Sequence, residues 1–214
     1  MNNIVKIKFI ICGYPNLDTT LKEIEKAIND GVDAIELGIP FSDATVESKY
    51  IQNAYVEALK NNLSTTKVFA FIDMVRSKYD IPIMLVSYAN VVLSYGIEKF
   101  ALKCQELKIR GVMLHDVPYE ESDEFKVPFK KYGITFISTV SSRSYERINK
   151  IIENAEGYIN VVINPVRDNY DIIYNFIRTL RIKTKLPIVF NLVGVSKTIV
   201  DMISTMDIDG VIFE

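Results

Sequence analysis

The sequence predicts a (β/α)8 TIM barrel that lacks its final loop and final helix. Three observations predict it. Apolar, β-branched runs alternate with amphipathic stretches along the whole chain. A local pattern of helix end, Gly or Asp, then strand recurs in NDGVDAIEL, KIRGVMLH, AEGYINVV and DIDGVIFE. No linker, low-complexity segment or shift of composition divides residues 1–214, so a single domain is expected. A barrel of this kind usually takes roughly 200 to 250 residues.

The elements follow in order. Strands are expected at 5–12, 33–39, 81–88, 111–117, 134–140, 157–164, 186–193 and 209–214. Helices are expected at 17–30, 67–79, 97–108, 144–155, 171–183 and 198–206, with Leu21, Ile24 and Ile28 forming one face of the first. The charged stretch from Pro118 to Lys131 also reads as helix, despite its interior Pro128. Strands alternating with helices imply parallel pairing and right-handed crossovers. Buried parallel strands are apolar nearly throughout, as these are. A doubly wound open sheet is the alternative. The chain stops at Glu214 inside the eighth strand. The outer faces of the last and first strands, with Val211 and Phe213, are then expected to need a cover: a homo-oligomer, a partner subunit or a rearranged N-terminus.

Composition excludes several classes. The chain is 49% apolar and 24% charged, with a formal net charge of −2. That is ordinary for a globular protein and offers no basic face for nucleic acid. No apolar run approaches the roughly 18 residues of a membrane span. The N-terminal MNNIVKIKFIICGYP lacks an A-x-A-like cleavage site and reads as mature protein. Cys12, Cys104 and the single histidine, His115, are too few for a zinc site of the usual kind, so no metal is expected. Two distant cysteines in apolar elements suit buried thiols in a reduced, cytoplasmic protein.

A barrel places its chemistry at the C-terminal ends of its strands. The segment after the second strand, residues 40–54, is the longest and most acidic of those that follow strands. Together with IELGIPFSD it brings Glu36, Asp43 and Glu47 to one end of the fold. A carboxylate inside an apolar strand is costly to bury unless paired or hydrogen-bonded. Glu36 is therefore solvated at a strand end, paired with a lysine such as Lys8, or used in catalysis. Its neighbours on the same face, Ala34 and Gly38, are small and leave room for a ligand. Two carboxylates at a barrel mouth suit a general acid and base. For Asp43 and Glu47 the plainer alternative is a solvated loop or a helix cap.

IELGIPFSD, followed eight residues later by IQNA, resembles the signature of the tryptophan synthase alpha chain family. FIICGYP, LVSYANVV, GVMLHDVPYEES, AEGYINVV and DGVIFE resemble further family stretches in order and spacing, so the resemblance covers essentially the whole chain. It implies a (β/α)8 barrel and a lyase of tryptophan biosynthesis that cleaves indole-3-glycerol phosphate to indole and glyceraldehyde 3-phosphate by retro-aldol chemistry. It implies no cofactor in this chain and a beta-subunit partner that carries pyridoxal phosphate. Residue by residue, Glu36 falls on the catalytic glutamate, with proton transfer to indole C3 as its role. Glu47 replaces a catalytic aspartate and is one methylene longer. Phe9 and Tyr88 match residues around the indole, and Asn160 stands where the family usually has a tyrosine. Pro15, Asp43, Asn90 and Pro118 match positions near the beta-subunit contact.

The chain departs from the family where phosphate binds. The family pattern Ser-Gly-x-Thr-Gly after the sixth strand reads Pro165-Val166-Arg167-Asp168-Asn169 here, without glycine. The Gly-x-Gly after the seventh strand is reduced to Gly194. Arg167 is either a compensating cation or a solvated loop arginine. Two alternatives to the lyase stay open: a degenerate alpha-like protein that binds or regulates a beta subunit, and a protein acting on a ligand without phosphate.

Overall fold

The computed structural model describes residues 4–164, 168–203 and 205–214. The chain forms two compact units, Lys8–Phe136 and Ile137–Glu214, the second joined by the N-terminal residues up to Ile7.

The first unit runs β1 (Val5–Ile11), α1 (Leu17–Asn29), β2 (Ala34–Gly38), α2 (Lys49–Lys60), α3 (Thr65–Arg76), β3 (Ile83–Ser87), α4 (Ala89–Tyr95), α5 (Ile97–Glu106), β4 (Gly111–Leu114), α6 (Asp123–Lys131) and β5 (Thr135–Phe136). Strands β1 to β5 lie side by side in chain order, and β2–β3, β3–β4 and β4–β5 are parallel. The second unit runs β6 (Ser138–Val140), α7 (Ile148–Glu153), β7 (Ile159–Val162), α8 (Tyr170–Lys183), β8 (Ile188–Asn191), α9 (Lys197–Ile203) and β9 (Gly210–Phe213). Its strands are also parallel and in chain order. The Val5 N–H donates to the carbonyl of Asp209 at 2.8 Å, so the start of β1 borders β9. Sequential order in each unit leaves no switch point, which rules out the doubly wound alternative.

All eight expected strand regions are present, but the fifth is divided. Its halves pair with different neighbours, β5 with β4 and β6 with β7. Two helices were not expected. α2 begins inside the segment read as a loop, because the Ser48 hydroxyl caps the Ile51 N–H. α4 has no local side-chain cap; the Asp116 carboxylate accepts from the Ala89 N–H at 2.8 Å across 27 residues of sequence. The αβ-loop glycines also divide by role. Gly31 follows the α1 cap Asp30 at φ of 75°, as the residue after a helix C-cap does, while Gly157, at φ of 71°, turns the loop between α7 and β7. Gly210 instead opens β9, where a Cβ would lie 3.1 Å from the Val5 carbonyl oxygen. Val211 and Phe213 are half-buried.

Period-two alternation sorts the strand residues of the first unit onto two faces. Ile10, Cys12, Ile35, Leu37, Ile39, Ile83, Leu85, Val112 and Leu114 join one apolar cluster with Val68, Phe69, Ile72, Phe100 and Phe129 of the helices. Phe9, Glu36, Gly38, Met84, Val86 and Met113 take the opposite face. Among the described residues no helix is long and apolar enough to cross a membrane.

Arg76, the last residue of α3, ties this layer together. Its guanidinium donates to the carbonyls of Leu107 and Lys108, each at 3.0 Å, and to that of Ile81. It thereby anchors the segments that lead into β3 and β4. Arg76→Ala leaves these carbonyls without their donor and is expected to cost about 2–4 kcal/mol, since hydrogen bonds to charged groups contribute roughly 1.5–3 kcal/mol each and do not add fully. Urea unfolding followed by circular dichroism checks this through the midpoint.

Candidate active site

Glu36 sits in β2 with 1% of its surface exposed, opposite Met84 of β3. Its strand neighbour Gly38 is required by its surroundings. A Cβ there would lie 2.8 Å from the Tyr55 hydroxyl and 3.2 Å from the Phe9 ring. Phe9 and Tyr55, from β1 and α2, are themselves buried. Glu36 therefore lies on the same face of β2 as a glycine packed against two buried aromatic rings.

Glu47 reaches the same region from the turn before α2. Its N–H donates to the Ala44 carbonyl at 3.1 Å, and its own carbonyl accepts from Gln52 Nε2 at 2.8 Å. One carboxylate oxygen, Oε1, accepts from the Tyr88 hydroxyl at 3.3 Å and lies 2.5 Å from His115 Nδ1. Phe41 stacks on Tyr88 at 4.9 Å between centroids, and His115 meets the same ring edge-on at 6.2 Å. The Glu47 and His115 side chains are 15% and 17% exposed.

The charges follow from this arrangement. Burial works against an imidazolium at His115. The hydrogen bond and charge of Glu47, backed by Glu36 and Asp116, outweigh it and hold the pKa above 6.5. A histidine raised in this way stabilises the fold fully below about pH 6.5, and that contribution fades as pH rises through the elevated value. Burial, then the Glu47 charge, push the Tyr55 and Tyr88 phenols far above the usual range, so both remain donors. Burial also raises both thiols, Cys12 and Cys104, which lie in the helix-facing cluster away from His115. A Cys–His catalytic pair is excluded.

The second unit holds the other expected ligand-binding positions. Asn160 is fully buried in β7, and its Nδ2 donates to the Thr139 hydroxyl of β6 at 3.1 Å. Gly194 is exposed in the turn between β8 and α9, at φ of 71°. Arg167 lies outside the described residues. Asp168 is nearly buried. Its carboxylate accepts from the Ser142 hydroxyl at 2.8 Å and from the Asn164 N–H at 2.7 Å. A carboxylate thus takes donors at the loops following β6 and β7.

Residues 2–213 match the family model described as tryptophan synthase alpha chain. The chain belongs to the tryptophan synthase alpha chain family. It is 37% identical to the alpha chain of Lacticaseibacillus casei over 161 residues, covering 75% of this chain and 60% of that one. It is 32% identical to that of Alkaliphilus metalliredigens over 200 residues, covering 90% and 74%. In structure it is similar to the tryptophan synthase alpha subunit of Legionella pneumophila, with a TM-score of 0.89, 27% identity, and 99% and 80% of the two chains covered. The fold is a (β/α)8 barrel. The matched region spans 60% of the length of the Lacticaseibacillus casei relative.

Against the family pattern, Glu36, Glu47, Phe9 and Tyr88 come together in the first unit. Pro15, Asp43, Asn90 and Pro118 are all exposed at the ends of β1, β2, β3 and β4 in that unit. The Pro15 carbonyl accepts from Asn61 Nδ2 at 2.7 Å. Two residues of the site escaped the sequence reading. Tyr55 lies on the unexpected helix α2. His115 was weighed only against the cysteines, yet alternation along GVMLHDV puts it on the face of Met113, at the strand end where a barrel keeps its chemistry.

The Tyr55 hydroxyl is buried and meets no hydrogen-bond partner among the described residues. An unsatisfied buried donor costs about 1–3 kcal/mol. Tyr55→Phe is therefore expected to raise the stability of the ligand-free protein by about 1 kcal/mol, read as a higher thermal unfolding midpoint.

Proposed function

We propose that this chain performs the alpha-chain reaction: retro-aldol cleavage of indole-3-glycerol phosphate to indole and glyceraldehyde 3-phosphate in tryptophan biosynthesis. The observation that carries this reading is the burial of Glu36 on the β2 face that packs Gly38 against Phe9, with its charge felt at His115, which together with Tyr88 holds Glu47. Cleavage needs a proton delivered to indole C3, which makes the ring a leaving group. It also needs loss of the proton on the adjacent side-chain hydroxyl. The carbon–carbon electron pair then returns to the ring as the hydroxyl carbon becomes an aldehyde. Glu36 donates the proton to C3 and, as the resulting carboxylate, takes the hydroxyl proton, shielded from water by its burial. Glu47 is the acceptor for the ring N–H and stabilises the positive charge that protonation places on the ring.

Phe9 and Tyr88 pack the indole. Asn160, Gly194 and Arg167 are the remaining substrate-binding residues of this reading, with Arg167 as the cation for the phosphate. Pro15, Asp43, Asn90 and Pro118 form the surface for a beta subunit, which holds pyridoxal phosphate and receives the indole; this chain uses no cofactor of its own. Residues 1–214 act as one barrel domain in the cytoplasm, where the free, buried Cys12 and Cys104 stay reduced.

A second reading, a ligand without phosphate, is favoured by Asp168. Its carboxylate already holds the Ser142 hydroxyl and the Asn164 N–H, and a phosphate dianion nearby meets a like charge.

Indole release from indole-3-glycerol phosphate, measured with and without a beta subunit, tests the primary reading. Glu36→Gln keeps the shape of the side chain but cannot exchange the proton. It is expected to lower kcat by roughly 10²-fold or more. Wild-type protein with no indole release in either setting would remove this substrate and turn the search to phosphate-free indole derivatives.

A further inference from the structure

The lyase reading assigns Glu47 to the ring N–H without explaining how a side chain one methylene longer than the family's aspartate is held in register. An added torsion lets the carboxylate wander, and a misplacement of about 1 Å at a reacting centre can cost 10²-fold in rate. We propose that His115 is a positioning residue: with Tyr88 it clamps Oε1 of Glu47, so that Oε2 is presented to the ring N–H of the substrate. The proposal rests on the lyase reading for its catalytic consequence and on the geometry alone for the clamp.

Four observations carry it. Oε1 takes both donors, the Tyr88 hydroxyl at 3.3 Å and His115 Nδ1 at 2.5 Å, which together use the two lone pairs of one oxygen. No described residue bonds Oε2. The donors stand on a fixed frame: Tyr88 directly follows β3, and the His115 N–H donates to the carbonyl of Ser87, the last residue of β3, at 3.1 Å. The Glu47 backbone is held at both ends, through Ala44 and Gln52. The carboxylate is thus pinned by side chains from the ends of two adjacent strands while its own turn is anchored to α2.

The clamp also sets a pH dependence. The titratable groups around His115 in this unit are Glu47 from the turn before α2, Glu36 from β2, Asp116 next to it in the chain, and the Tyr55 and Tyr88 phenols from α2 and the end of β3. An imidazolium beside Glu47 cancels part of the negative charge that must stabilise the protonated ring. Neutral imidazole with its proton on Nδ1 keeps the hydrogen bond and leaves the carboxylate charge intact. Turnover is therefore expected to rise as pH increases through the His115 pKa.

His115 is the only histidine in the chain. A single imidazole signal in ¹H–¹⁵N NMR consequently reports it without assignment. Its titration is expected above pH 6.5 in the wild type and shifted down in Glu47→Gln. In kinetics, His115→Ala is expected to lower kcat by about 10- to 100-fold with little change in KM. His115→Asn, whose Nδ2–H takes the place of Nδ1–H, is expected to recover most of that loss while its acidic limb disappears. An imidazole titration indifferent to Glu47→Gln overturns the clamp, as does His115→Ala turning over at the wild-type rate with the wild-type pH profile. The NMR comparison decides the matter even where His115→Ala fails to fold. If the imidazole follows Glu47 while the wild type releases no indole, the lyase reading falls and the clamp stands.

Discussion

Strands covered by helices on one face have only their other face to offer for polar chemistry. In the first unit that division is strict. Odd positions of β2 and β3, with their even counterparts in β1 and β4, feed the apolar cluster under α1, α3, α5 and α6. The remaining positions carry Phe9, Glu36, Gly38 and, at the strand ends, Tyr88 and His115. A one-residue slip in β2 or β4 would move a carboxylate or an imidazole into the helix layer. Burying an unpaired charge there costs far more than any local preference gains. The site and the core are therefore specified by the same alternation, and neither is free to change register without the other.

That coupling explains why so much of the fold was legible. Eight apolar runs, repeated helix ends and Gly-containing αβ loops are local signals, and local signals survive in a single sequence. The boundaries that misled were set by distant partners. α4 is capped by Asp116, which reaches it from beyond β4, so nothing within ANVVLSYG announces a helix start. The fifth strand reads as one run, yet its two halves answer to different neighbours. α2 carried its own signal in Ser48, but the acidic PFSDATVES before it resembles a loop, and the helix was absorbed into that loop.

The site divides along the same line. Glu36 stood out because a carboxylate in an apolar strand is anomalous wherever the chain folds. Glu47 stood out by its place after the second strand. His115 carries no such anomaly at the end of a strand, and only the fold shows that it meets a glutamate 68 residues away.

The two ends of the substrate pose different physical problems. An indole ring needs an apolar slot and a few fixed polar groups, and in the proposed reaction these come from Phe9, Glu36, Glu47 and Tyr88. A phosphate dianion needs backbone N–H groups and cations, and glycine-rich loops supply the former because the backbone can approach closely. Here the Asp168 carboxylate accepts from the Asn164 N–H after β7 and from the Ser142 hydroxyl after β6. A carboxylate so held links these two strand ends as a bound anion would, and its charge repels one.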